Sequence, residues 1–202
     1  MMACSTSATQ YGNPFEKITC GKYSTNMRLF IAIDIPEQLK QELALLKVPL
    51  KHARWTPLEN MHLTLKFIGE VRSFEYQQII KILEEIEHEP FNLVPKSVGH
   101  FANRNFAKVL WAGFEPSVSL DALASKIRKA LKNFGKDASQ SFHPHITLAR
   151  LDKVPIEQIV PFLQCYSMFS AASFPVESFS LYSSVPTPRG SCYTKELQID
   201  LG

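Results

Sequence analysis

Histidine and threonine recur at one spacing in this chain. His62-Leu63-Thr64-Leu65 lies in the first half, and His145-Ile146-Thr147-Leu148 follows 83 positions later. On an extended strand alternate side chains face opposite ways, so each His and Thr point together while Leu63/Leu65 and Ile146/Leu148 point into a core. One copy alone reads as a hydrogen-bonded histidine on a half-buried strand. Two copies, which composition yields by chance on the order of once in a thousand such chains, read as a polar site approached from two sides. Facing imidazoles suit in-line displacement at phosphorus. With an ordinary pKa of about 6.5, one takes a proton from water while the other delivers one to the leaving oxygen, each transfer worth roughly 10²–10⁴-fold. Threonine hydroxyls can donate to the non-bridging phosphate oxygens, where charge gathers.

A metal is the competing use of two histidines. A catalytic zinc usually takes three protein ligands, and neither motif has Cys, Asp or Glu two residues to either side. The same-face neighbours are Asn60 and Lys66 in one copy, His143 and Ala149 in the other. His143 offers a third nitrogen, but the adjacent lysine and the missing carboxylates argue for a site without metal or cofactor.

The elements that position these strands follow from apolar periodicity. Leu29 to Ile35 reads as a buried strand ended by Pro36, and Glu37 to Lys47 as a helix with Leu39, Leu43 and Leu46 on one face. The first His-x-Thr strand ends at Gly69, and a helix spans Glu75 to Glu87. Strands Phe91–Phe101 and Ala107–Phe114 form a hairpin across Asn103-Arg104-Asn105. A helix over Ser119–Phe134 stops at Gly135, and Lys136 to Ser141 leads to the second His-x-Thr strand. A short helix over Pro155–Leu163 and two strands, Phe174–Ser183 and Cys192–Leu201, complete the chain. This approximate repeat predicts an α+β, bilobal fold: two pseudo-symmetric, mostly antiparallel sheets with outer helices and a cleft between the lobes.

Composition sets bounds. At 202 residues and 45% hydrophobic the chain suits one good-sized core. The formal charge of +3 admits an anionic substrate without arguing for nucleic acid. Cys4, Cys20, Cys165 and Cys192 are too scattered for a zinc ribbon or disulfide framework, which fits a reducing cytoplasm. No apolar run approaches a membrane span. Residues 1–26 carry no signal peptide and read as a disordered leader or non-native extension, with Met27 as the functional start and 27–202 as a single bilobal domain.

From Met27 to Leu201 the chain resembles the 2H phosphoesterase superfamily, and within it the bacterial and archaeal RNA 2′,3′-cyclic phosphodiesterases once called 2′-5′ RNA ligases. The resemblance rests on Met27–Ile33, on Trp55–Gly69 and on Asn103-Arg104 with Val109–Gly113. Phe142–Arg150, Leu181–Ser184 and Gly190…Tyr193 extend it. It implies a monomer acting on RNA 3′ ends or small nucleotides that carry a cyclic phosphate, opened to a 2′-phosphate. It implies His62 as proton donor, His145 as proton acceptor, and Thr64 and Thr147 as phosphate-binding hydroxyls. The alternatives are 2′-5′ ligation or small cyclic-nucleotide hydrolysis on the same site, or a non-catalytic RNA-binding module. Turnover lost in His62→Ala and His145→Ala separates an enzyme from a binder.

Other residues carry weaker signals. Lys66, by alternation on the face of His62 and Thr64, can add positive charge near a phosphate. Phe101, Trp111 and Tyr182 can stack a base, although such strand aromatics are often core. Arg150 falls by strict alternation opposite His145 and reads as structural, or as lying past a strand distortion. Arg104, Lys108 and Arg189, in loops or at strand ends, can track an RNA backbone, although loop arginines are usually just exposed. His52, His88 and His100 lack a Thr partner and read as incidental.

Overall fold

A computed structural model describes residues 26–135, 142–188 and 190–202. All of the expected leader except Asn26, the connector 136–141 and Arg189 lie outside them. The first half runs β1 (Met27–Asp34), α1 (Glu37–Ala44), β2 (Ala53–Trp55), β3 (His62–Val71), α2 (Ser73–Glu84), β4 (Phe91–Leu93) and β5 (Pro95–Asn103). The second runs β6 (Phe106–Phe114), α3 (Val118–Ala130), β7 (Ile146–Pro155), α4 (Val160–Cys165), β8 (Phe174–Val176), β9 (Ser178–Thr187) and β10 (Gly190–Asp200).

The named strands pair antiparallel throughout. One lobe is β10-β9-β1-β3 and the other is β7-β6-β5, with β2 taking up the edge of β7 that β3 leaves. The lobes meet at a single strand pair, Leu63 opposite Ile146. Both residues are fully buried. Helical spacing puts Leu39 and Leu43 of α1, Ile79 and Leu83 of α2, and Leu120, Leu123, Ala124 and Ile127 of α3 in the core with the backs of the strands.

Several expected boundaries move. Phe91–Phe101 divides at Val94, and Phe174–Ser183 divides at Glu177, because β4 and β8 leave the main sheet to form their own ribbon. Gly69 does not end β3. Its φ of +88° lies next to a register slip between Leu29 and Phe30, and the strand continues past that bulge to Val71. α2 starts two residues early because the Glu75 carboxylate accepts the Arg72 backbone N–H at 2.8 Å. α3 ends at Ala130, short of Gly135. With φ +79°, Gly135 lies so close to Ile68 that an added Cβ would stand 2.4 Å from its carbonyl oxygen. The short helix comes as a 3₁₀ turn, Ile156–Ile159, followed by α4.

Candidate active site

Both His-x-Thr segments carry the same irregularity. Thr64 pairs with Ala32 and Lys66 with Ile31, so Leu65 is the extra residue of a bulge. Thr147 pairs with Trp111 and Ala149 with Leu110, so Leu148 is extra in the same place. Cross-strand partners share a face. Ile31 is core, so Lys66 belongs to the back of the sheet, and its exposure is only 6%. The expectation that Lys66 stands beside His62 is therefore wrong, because the bulge adds one residue and reverses the alternation. The residues that resume the polar face are Phe67, opposite Phe30, and Arg150, opposite Val109. Both line the cleft.

The junction sets the histidines. Continuing the Leu63–Ile146 register one residue each way places His62 opposite Thr147 and His145 opposite Thr64, and all four line a cleft of about 730 Å³. His145 Nδ1 donates to the His143 carbonyl at 2.7 Å, which leaves Nε2 for the cleft. The His62 ring is bonded in the same way to the backbone of Asn60, whose side-chain amide donates to the Ser191 carbonyl at 2.9 Å. The C-terminal hairpin thus steadies the approach to β3.

Aromatic rings wall each imidazole. Phe30 stacks on His62 at 4.9 Å, with Tyr193 edge-on at 5.4 Å. Phe101 meets His145 edge-on at 4.8 Å, and Trp111 lies against His143 at 5.0 Å. Trp111 fits because Gly99 lies under it: a Cβ there would come within 2.3 Å of the indole. Phe101, Trp111 and Tyr182, considered as base-stacking residues, do not line the cleft and instead pack around the histidines. Arg104 and Lys108 are exposed away from the cleft, and His52, His88 and His100 do not line it.

Burial pushes the pKa of His62 down to about 4, against the upward pull of the Asn60 backbone and the Asp34 charge; His145 and Arg150 push it further down. Burial also lowers His145, against its bond to His143, and the charges of His143 and Arg150 act in the same downward direction. Asp34 is the cross-strand partner of His62. It accepts from Tyr182 Oη and pairs with Lys195 Nζ at 2.6 Å. Burial, then the bond to Asp34 and its charge, raise the Tyr182 pKa well above the usual range, so the phenol stays a donor. Among the described residues no group of three or more His, Cys, Asp or Glu is placed to hold a metal. No helix there is long and apolar enough to cross a membrane.

Alternation alone brings neither Phe67, Asp34 nor Arg54 to this site, and Arg150 reaches the cleft as a residue past a strand distortion. One signal was available: the fourth residue after the histidine is Ala149 in the second copy. A core-compatible residue there hints that position five, not four, rejoins the polar face.

A model of the LigT-like phosphoesterase family matches residues 33–111 and 114–193. An RNA 2′,3′-cyclic phosphodiesterase of Methanocaldococcus jannaschii is 30% identical over 170 residues, 83% of this chain and 96% of its own length. The protein of the same description from Thermotoga maritima is 33% identical over 178 residues, 83% of this chain and 91% of its own. Among solved structures, Escherichia coli LigT complexed with 3′-AMP superposes with a TM-score of 0.71 at 27% identity, covering 88% of this chain and 99% of that one.

Proposed function

The chain belongs to the LigT-like phosphoesterase family, and from that premise we propose that it hydrolyses RNA 2′,3′-cyclic phosphate ends to 2′-phosphomonoesters without a metal. The observation that carries this reading is the pair of His-Thr sets meeting across Leu63 and Ile146. The relatives' activity and a nucleotide bound by a protein of the same fold support the substrate class.

His145 Nε2 takes a proton from water as its oxygen attacks phosphorus. The bond from phosphorus to O3′ breaks, and His62 protonates that oxygen, leaving a 3′-hydroxyl and a 2′-phosphate. Thr64, Thr147 and the Arg150 guanidinium bind the non-bridging oxygens as charge builds on them. Asymmetry between the lobes supports the direction. The carboxylate of Asp34 stands opposite His62 and favours its protonated form, while the equivalent register position beside His145 is Gly113. His143 instead opposes charge on His145, while Arg150 opposes it on both imidazoles. A bound phosphate anion adds to the pull of Asp34 and offsets the burial that keeps His62 neutral in the empty cleft.

The test is an oligonucleotide ending in a 2′,3′-cyclic phosphate, incubated with and without EDTA. The expected result is a 2′-phosphate end formed at the same rate in both. Loss of turnover in EDTA overturns the metal-independent mechanism, and absence of turnover overturns the function.

A further inference from the structure

Arg54 lies on β2 directly opposite Arg150 on β7, and both side chains line the cleft. Like charges placed opposite each other across a strand pair repel. Among the described residues neither arginine forms an ion pair, and the one carboxylate lining the same cleft, Glu59, is paired to neither. The two guanidiniums are not equivalent. The Arg150 charge acts on both imidazoles, and Arg54 comes from a different strand, β2, which takes up the edge of β7 that β3 leaves.

A cyclic phosphate carries one negative charge, which Arg150 and a protonated His62 already meet. Arg54 is surplus for a mononucleotide. Phe67, 61% exposed, presents an apolar ring to the same cleft, the kind of face on which a base stacks. The volume of about 730 Å³ lies toward the upper end of the roughly 300–1,000 Å³ of single-ligand pockets.

Resting on the function proposed above, we propose that Arg54 binds the phosphodiester on the 5′ side of the terminal nucleotide, so that this site selects an oligonucleotide end over a free nucleoside cyclic phosphate. The cross-strand arginine pair spaces two anions: the reacting phosphate at Arg150 and the preceding linkage at Arg54. Phe67 offers its face to a base between them.

Three substrates test this: adenosine 2′,3′-cyclic phosphate, the dinucleotide ending in the same cyclic phosphate, and that dinucleotide with an uncharged methylphosphonate linkage. The native dinucleotide is expected to exceed the mononucleoside in kcat/KM by about tenfold or more, the effect of one charge-assisted hydrogen bond. The methylphosphonate is expected to lose most of that advantage. In Arg54→Gln the ratio of native to methylphosphonate dinucleotide should fall toward one, with the mononucleoside rate as internal reference. Equal kcat/KM for all three substrates, or a linkage-charge preference that survives Arg54→Gln, overturns the proposal while the hydrolytic reading stands. If none of the three is turned over, it is the hydrolytic reading that fails.

Discussion

The two His-x-Thr segments share a backbone and differ in their neighbours. From Leu63 and from Ile146 the same run of buried, half-buried, buried, buried and exposed residues follows, produced by bulges at Leu65 and Leu148. In both, the histidine is tied to the backbone two residues before it. The divergence lies beside that frame. Opposite the histidine stands Asp34 in one lobe, where register places Gly113 in the other; five residues beyond it stands Phe67 in one and Arg150 in the other. Repetition supplies two groups of one kind on one scaffold, and the substitutions next to them are what the proposed mechanism uses to make one the acid and the other the base.

The sharpest way to break that comparison is to remove each histidine in turn. His62→Ala and His145→Ala are each expected to lower kcat by roughly 10²–10⁴-fold. They separate on a substrate whose 3′ bridging atom is sulfur, since a thiol of pKa about 8–9 leaves without a proton. His62→Ala should recover most of its lost rate on that substrate and His145→Ala should not. Equal behaviour would show that the lobes are chemically interchangeable.

The fifth position comes next. Arg150→Ala is expected to lower kcat/KM by about ten- to a hundredfold, the range for a hydrogen bond to a charged group. Phe67→Ala is expected to act several-fold and in KM alone, because a half-open stacking face contributes binding. Steady-state kinetics on a dinucleotide cyclic phosphate reads both. A fall in kcat for Phe67→Ala would place that ring at the chemistry.

How far the chain could be read unaided follows the same division. His62, Thr64, His145 and Thr147 were legible because alternation holds from the histidine to the threonine, and so was the bilobal α+β plan, because the order of elements repeats. Alternation fails one residue later. A bulge is a matter of register between two strands, and the sequence marks it only indirectly, through Ala149 four residues after His145, so alternation alone puts Lys66 on the wrong face and leaves Arg150 either structural or past a strand distortion. Asp34 and Arg54 reach the site only through pairing with β3 and β7, partners far away in sequence. For the aromatics the sequence leaves two uses open, stacking a base or packing in the fold: Phe101, Trp111 and Tyr182 brace imidazoles and their neighbours, and strand pattern alone does not separate bracing a ring from stacking a base.

The smallest expected effect tests the asymmetry most directly. With His62 lowered to about 4 and His145 below its usual 6.5, the productive form of the free protein holds its proton on the site with less affinity for it. Because kcat/KM reports the free protein, its optimum should fall below pH 6.5, and above both pKa values it should decline tenfold per pH unit. On that limb its level at any pH scales with the proton affinity of His62. Asp34→Asn removes a charge that raises this affinity and should lower the whole limb. Lys195→Met frees Asp34 of its counter-charge and should raise it. The Asp34 side chain is 44% exposed, so each shift should stay near two- to fivefold, the scale of a screened pair. Opposite signs from two substitutions in one ion pair are not what a merely structural role produces, since breaking the pair from either side would then lower activity. A common decrease would remove Asp34 from the support for the proposed role of His62 as the acid.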